Sequence, residues 1–134
     1  MEETLKNAQD MGMNVRAIAV TNPGNPTGHV LSREEIEDII ILAYENGLVI
    51  LADEVNQDAI YTDVPFISFR KVLIEMGDPF NKLVELVSFN STANAVTGEC
   101  GLKGGYMDVI NFDKEVAEVL HKLKSMEECA ATVG

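Results

Sequence analysis

The sequence predicts an α/β fold, a mainly parallel sheet flanked by helices. Three observations point there. Short runs rich in Val, Ile and Leu recur without polar alternation, as expected of strands buried on both faces. Amphipathic stretches with apolar residues at helical spacing lie between them. Glycines and capping residues mark the boundaries, with no internal repeat and no low-complexity linker. The 134 residues make one domain, 1–134, large enough to bury about two-thirds of its unfolded surface.

Each element has a local reason. Residues 3–11 form the tail of a helix stopped by Gly12. Residues 15–20 are β-branched and bounded by turn formers, hence a buried strand. Ser32 followed three residues later by Glu35 has the form of a capping box. The helix it opens carries the stripe Ile36, Ile39, Ile40, Ala43 and ends at Gly47. Residues 48–52 are a second strand. Ser68 caps a short helix through Met76, closed by Gly77. Residues 83–89 and 105–110 are the third and fourth strands. Asp113 caps a last helix bearing Val116, Val119, Leu120 and Leu123. The order strand–helix–strand–helix–strand–strand–helix fits a sheet covered by helices.

Net charge is −12, from 22 acidic and 10 basic residues. That excludes nucleic acid and anionic membrane surfaces as partners, since both need a basic patch. No segment approaches the roughly 18 apolar residues of a membrane span. The start, Met1-Glu2-Glu3-Thr4-Leu5-Lys6, is neither a secretory signal nor a basic transit peptide. Cys100 and Cys129 lie far apart, with neither a disulfide framework nor metal-ligand spacing. A reduced, cytoplasmic setting is the expectation. His29 and His121 are expected on the surface, and Cys100 as a small buried residue.

Two segments carry more than folding information. Asn22-Pro23-Gly24-Asn25-Pro26-Thr27-Gly28 packs prolines that fix φ beside glycines and asparagines that tolerate unusual turns. By itself it serves equally well as a rigid connection. It lies, however, just past the carboxyl end of a strand, where open α/β sheets bind ligands. Asp53 and Glu54 end an otherwise apolar strand, and a carboxylate there needs solvent or a cation. Asp53 alone reads as a strand-end cap or a local ion pair, and Glu54 as structural or solvated.

A third segment runs from Ser91-Thr92-Ala93-Asn94 to Gly98-Glu99-Cys100-Gly101-Leu102-Lys103-Gly104-Gly105-Tyr106. In this joint order, the three segments resemble the cofactor-binding large domain of class I/II, fold-type-I aminotransferases dependent on pyridoxal 5'-phosphate, closest to the alanine aminotransferases. The resemblance covers only the middle of that domain. It implies a sheet bordered by cofactor contacts: Asn25 donating to the cofactor's phenolic oxygen, Asp53 pairing with its pyridine nitrogen, and Ser91 binding its phosphate. Asn56 stands where the family usually has a tyrosine reaching the same phenolic oxygen, and Tyr61 is expected to pack rather than replace it. Lys103 takes the place of a phosphate-gripping arginine, keeping charge but losing the bidentate fork.

Asn94 occupies the position of the lysine that bonds covalently to the cofactor. An amide is neither nucleophile nor base near neutral pH, so the resemblance implies no catalytic residue at position 94 and a non-covalent cofactor. Among these residues there is no counterpart of the family's upstream phosphate loop, its ring-stacking aromatic or its substrate-carboxylate arginine. The parent reaction moves an amino group from alanine to 2-oxoglutarate. The partners implied are an amino acid and a 2-oxo acid, with a homodimer or a related subunit beside them. The expectation is thus a catalytically impaired, pyridoxal-phosphate-binding segment. The alternatives are a non-catalytic α/β interaction module and a non-functional gene fragment.

Overall fold

Ser32 does open a helix by a reciprocal cap: its side chain accepts from Glu35 N–H, while its own N–H donates to the Glu35 carboxylate at 2.8 Å. That backbone bond holds the Glu35 carboxyl below its ordinary range. The computed structural model describes residues 1–61, 63–92 and 104–127. Along them run α1 (Glu2–Asp10), β1 (Ala17–Thr21), α2 (Arg33–Asn46), β2 (Val49–Asp53), α3 (Phe69–Met76), α4 (Phe80–Leu83), β3 (Leu86–Ser91), β4 (Gly105–Ile110) and α5 (Lys114–Glu127). Gly47 closes α2 in the left-handed conformation, where a side chain would be strained. Ser68 accepts from Lys71 N–H at the start of α3.

The four strands lie in the order β1-β2-β3-β4. The first three are parallel and β4 runs antiparallel to β3. Registers align Ile18, Ile50 and Leu86 across one face of the sheet. On that face they meet Ile36, Ile39, Ile40 and Ala43 of α2 and Phe69, Val72 and Leu73 of α3 in one core cluster. The stripe read from the sequence is therefore the stripe that is buried. Asn111, in the left-handed region, donates its side-chain amide to Val84 O at 2.8 Å and ties the end of β4 to the entry of β3.

Three expectations need correction. Strands buried on both faces describe the start of β3, whose Leu86, Val87 and Ser88 are all buried, but not β1. Ala17, Ala19 and Thr21 of β1 are exposed, because β1 is an edge of the sheet and α2 and α3 pack against one face only. β3 begins at Leu86 rather than at residue 83, since Phe80–Leu83 turn once as α4. The apolar stripe of α5 is only partly covered: Val116, Val119 and Leu123 stand about half exposed. Ala117, Leu120 and His121 instead border a groove with Met107 and Val109 of β4, which turns the stripe away.

One carboxylate is sunk into this frame. Glu54, 3 % exposed, accepts from the Phe69 backbone N–H at 2.8 Å and from the Ser88 hydroxyl at 2.5 Å. It therefore binds the end of β2 to β3 and to the first residue of α3. Burial pushes its carboxyl above the ordinary value, and the two hydrogen bonds oppose that shift without cancelling it. So Glu54 is structural, one of the two roles open to it from sequence.

Two stability measurements follow from the packing. Ile40→Ala should cost about 2–5 kcal/mol in urea unfolding with little change in slope, whereas Ile41→Ala, 37% exposed on the outer side of α2, should cost about 1 kcal/mol or less. A raised carboxyl favours folding most when protonated, and that contribution is lost as pH rises from the ordinary value of 4.5 through the value in the fold. The Tm of the wild type should therefore fall relative to Glu54→Gln as pH rises above 4.5. A Tm difference that stays constant with pH would mean that Glu54 titrates as an ordinary surface carboxyl.

Candidate functional site

Parallel pairing of β1, β2 and β3 brings their carboxyl ends to one side of the sheet. Thr21 aligns with Asp53, and Asp53 with Phe89, so the segments that follow these strands leave from one edge. At that edge an open cavity of about 580 Å³ is lined by Thr21, Asn25, Asp53, Val55 and Asn56. The walls are mostly polar, and they come from the Asn-Pro-Thr-Gly turn and from the end of β2.

The turn is held from beneath by Asn22. Its side chain is fully buried, and its carbonyl oxygen accepts from Leu31 N–H at 3.0 Å, tying the base of the turn across nine residues. Its backbone N–H donates to Asp53 O at 3.0 Å. Gly24 N–H donates to His29 O and Gly28 N–H to Gly24 O, both at 2.8 Å, closing the loop on itself. A Cβ on Gly24 would stand 2.8 Å from the Thr27 hydroxyl, so glycine keeps that close approach. Asn22 Nδ2 has no hydrogen-bond partner among the described residues, a burial that costs about 1–3 kcal/mol.

Asp53 is partly buried at the end of β2. Its carboxylate accepts one long hydrogen bond, from Val55 N–H at 3.4 Å, and it enters no salt bridge among the described residues. That excludes the local ion pair considered from sequence, as far as these residues extend. A carboxylate so placed, facing a polar cavity beside two amide side chains, can receive a cationic or protonated nitrogen. Among the described residues its lining has no lysine, cysteine or histidine, and Asp53 is its one ionisable side chain.

Of the residues singled out from sequence, Asn25, Asp53 and Asn56 share this cavity. Ser91 ends β3 on the same face of the sheet as Asp53, two residues beyond Phe89, but is outside the lining set. Asn94, Lys103 and Cys100 lie outside the described residues. Tyr61 is 90 % exposed and so does not pack, contrary to expectation. His29 is exposed as expected and approaches Glu35 at 3.8 Å, and His121 is exposed on α5. Sequence reasoning missed Thr21 and Val55. Thr21 directly precedes the turn and aligns with Asp53, a link visible only once the register is known.

Comparison with known proteins adds the family. The model of the aminotransferase class I and II family matches residues 1–128. Alanine aminotransferase 1 of Bos taurus is 51% identical over 120 residues, 89% of this chain and 24% of that protein. Glutamate–glyoxylate aminotransferase 1 of Arabidopsis thaliana is 45% identical over 127 residues, 94% of this chain and 26% of that protein. An aminotransferase structure from Escherichia coli superposes with a TM-score of 0.74 at 26% identity, covering 93% of this chain and 30% of that one. The alanine aminotransferase of Pyrococcus furiosus, at 24% identity and a TM-score of 0.70 over 94% of this chain and 31% of its own, shares the fold. The chain thus spans about a quarter of the length of the curated relatives it matches. On the family match over nearly its whole length, the chain belongs to the aminotransferase class I and II family.

Proposed function

We propose that this chain is an alanine-aminotransferase-like segment that binds pyridoxal 5'-phosphate without a covalent bond and is catalytically impaired. The observation that carries the reading is the Asp53 carboxylate, in no salt bridge among the described residues and facing a cavity lined also by Asn25 and Asn56, in a chain 51% identical over 120 residues to an alanine aminotransferase. These residues fit the ring end of such a cofactor. A protonated pyridine nitrogen would supply a cation to Asp53, and the two amides would supply donors for the phenolic oxygen.

When bound, pyridoxal phosphate withdraws electrons from the substrate carbon that bears the amino group. Asp53 would keep the ring nitrogen protonated by charge pairing, the condition for that withdrawal. Asn25 would hold a non-titrating donor on a stiff loop, and Asn56 a shorter one where the family usually presents a phenol. Ser91 and Lys103 would contact the phosphate, Lys103 as a point charge rather than a fork. Asn94, at the lysine position, can neither attack a carbonyl nor carry a proton between carbons. Amino acids and 2-oxo acids are the substrate class of the parent reaction.

A second reading, a non-catalytic module that packs against a related subunit, is favoured by one observation, the half-exposed stripe Val116, Val119 and Leu123 on α5. Cofactor titration separates the two. Purified protein should take up pyridoxal phosphate saturably, and Asp53→Ala should weaken uptake by about tenfold or more, the loss expected of a partly buried charge-assisted contact. Borohydride should fix no cofactor to the chain at this site. Absence of saturable uptake, together with concentration-dependent self-association, would favour the module, and a reduced adduct on Lys103 would overturn its assignment to the phosphate.

Asn94→Lys alone should not confer alanine transamination on this chain. The substitution supplies an amine, but the described lining of the cavity has no arginine to hold the substrate carboxylate. Positioning of that kind is worth about 7–11 kcal/mol of the barrier. Pyruvate formation from alanine and 2-oxoglutarate is the assay. Turnover near that of an ordinary transaminase would leave Asn94 as the single lesion.

A further inference from the structure

The peptide between Asp53 and Glu54 is fastened on every side. Asp53 O accepts from Asn22 N–H at 3.0 Å, on the side of β1, and Glu54 N–H donates to Phe89 O at 3.1 Å, on the side of β3. Side chains alternate along an extended strand, so Asp53 lines the cavity while Glu54 turns to the helix-covered face. There the Glu54 carboxylate takes Phe69 N–H from α3 and the Ser88 hydroxyl from β3.

A carboxylate in such a place is costly, and an apolar residue would fill the core at lower energy. Its two bonds reach 15 and 34 residues along the chain, to separate elements. The α3 helix does not need Glu54 as its main cap, because Ser68 already accepts from Lys71 N–H. What Glu54 adds is a rigid anchor one residue from the Asp53 carboxylate, whose own side chain is steadied, among the described residues, by nothing stronger than the 3.4 Å bond from Val55.

We propose that Glu54 is a positioning residue: through Ser88 and the Phe69 N–H it locks the end of β2, and so sets the direction in which Asp53 presents its carboxylate to the cavity. The proposal rests on the cofactor reading only for what Asp53 receives; the mechanical link between Glu54 and Asp53 stands in the unliganded protein. Preorganised groups bind best when neighbouring contacts hold them within a fraction of an ångström. Replacing Glu54 by Gln preserves the link, since an amide oxygen still accepts from Phe69 N–H and an amide N–H can donate to Ser88 Oγ. Replacing it by Ala removes the link.

The experiment compares wild type, Glu54→Gln and Glu54→Ala in pyridoxal phosphate titration, thermal unfolding and amide NMR of the unliganded protein. Glu54→Ala should weaken cofactor uptake about tenfold and move the backbone amide resonance of Asn22 and the side-chain amide resonances of Asn25, which report on the Asp53 carbonyl and on the cavity its carboxylate faces and are remote from position 54 in sequence, while Glu54→Gln keeps affinity within about twofold. A merely architectural Glu54 would lower Tm in Glu54→Ala yet leave the affinity of the folded protein and the Asn22 and Asn25 resonances unmoved, and that result overturns the proposal. If the wild type takes up no cofactor, the functional reading fails by itself. The Asn22 and Asn25 resonances then decide the positioning role, and their constancy in Glu54→Ala overturns it. Should Glu54→Ala not fold, Ser88→Ala, which removes one of the two partners, carries the same comparison: movement at Asn22 and Asn25 supports the link and constancy overturns it.

Discussion

Parallel pairing of β1, β2 and β3 is the constraint on which the rest of this structure depends. Parallel strands must all leave the sheet at the same edge, so the turn after Thr21 and the turn after Asp53 meet there whatever lies between them in sequence. The crossover between β1 and β2 is α2, whose buried stripe packs on the sheet and fixes the register that aligns Thr21 with Asp53. The cavity is a consequence of that register. A slip of one residue would move Asp53 to the helix-covered face and bring the Glu54 carboxylate out to the cavity.

Polar burial is concentrated behind the cavity. The buried polar residues Asn22, Glu54 and Ser88 are joined through the Asp53–Glu54 peptide and the Glu54 carboxylate. Among the described residues, the core cluster of buried side chains is aliphatic apart from Phe69. Of the surface ion pairs of Arg33, that with Glu37 lies within α2 and that with Glu75 links α2 to α3, but pairs this exposed contribute about 0–1 kcal/mol. The polar groups of the interior therefore set geometry rather than stability, and they do so next to the Asp-Glu pair and the Asn-Pro-Thr-Gly turn.

The sheet is asymmetric in its cover. One face is sealed by α2 and α3, while β1 exposes Ala17, Ala19 and Thr21 and α5 leaves half of its apolar stripe in solvent. Relatives four times as long share this segment at about half identity. Full sheets of this class are buried on both faces because helices cover both. The strands of this chain are aliphatic enough for cover on both faces, which is why their sequences predicted more burial than the described residues show.

What the sequence determined by itself was local: the capping box at Ser32, the glycine stop at Gly47, the Ser68 cap, four strands nearly in place, and a stiff turn beside an acidic strand end. Such signals depend on residues within a turn or two of one another, and the chemistry that makes them acts whether or not the rest of the chain is folded. The family resemblance was legible for the same reason, as contiguous motifs in order. Only the tertiary structure decided that Asn25, Asp53 and Asn56 share one cavity, that Thr21 joins them, and that Glu54 finds Ser88 and Phe69 instead of water. Those outcomes turn on pairings 15 to 34 residues apart, and on which face of a strand a neighbouring helix covers. A carboxylate's partner is a property of three-dimensional neighbours, so the same Asp-Glu dipeptide could not reveal from its spelling which acid would face the cavity and which would be buried.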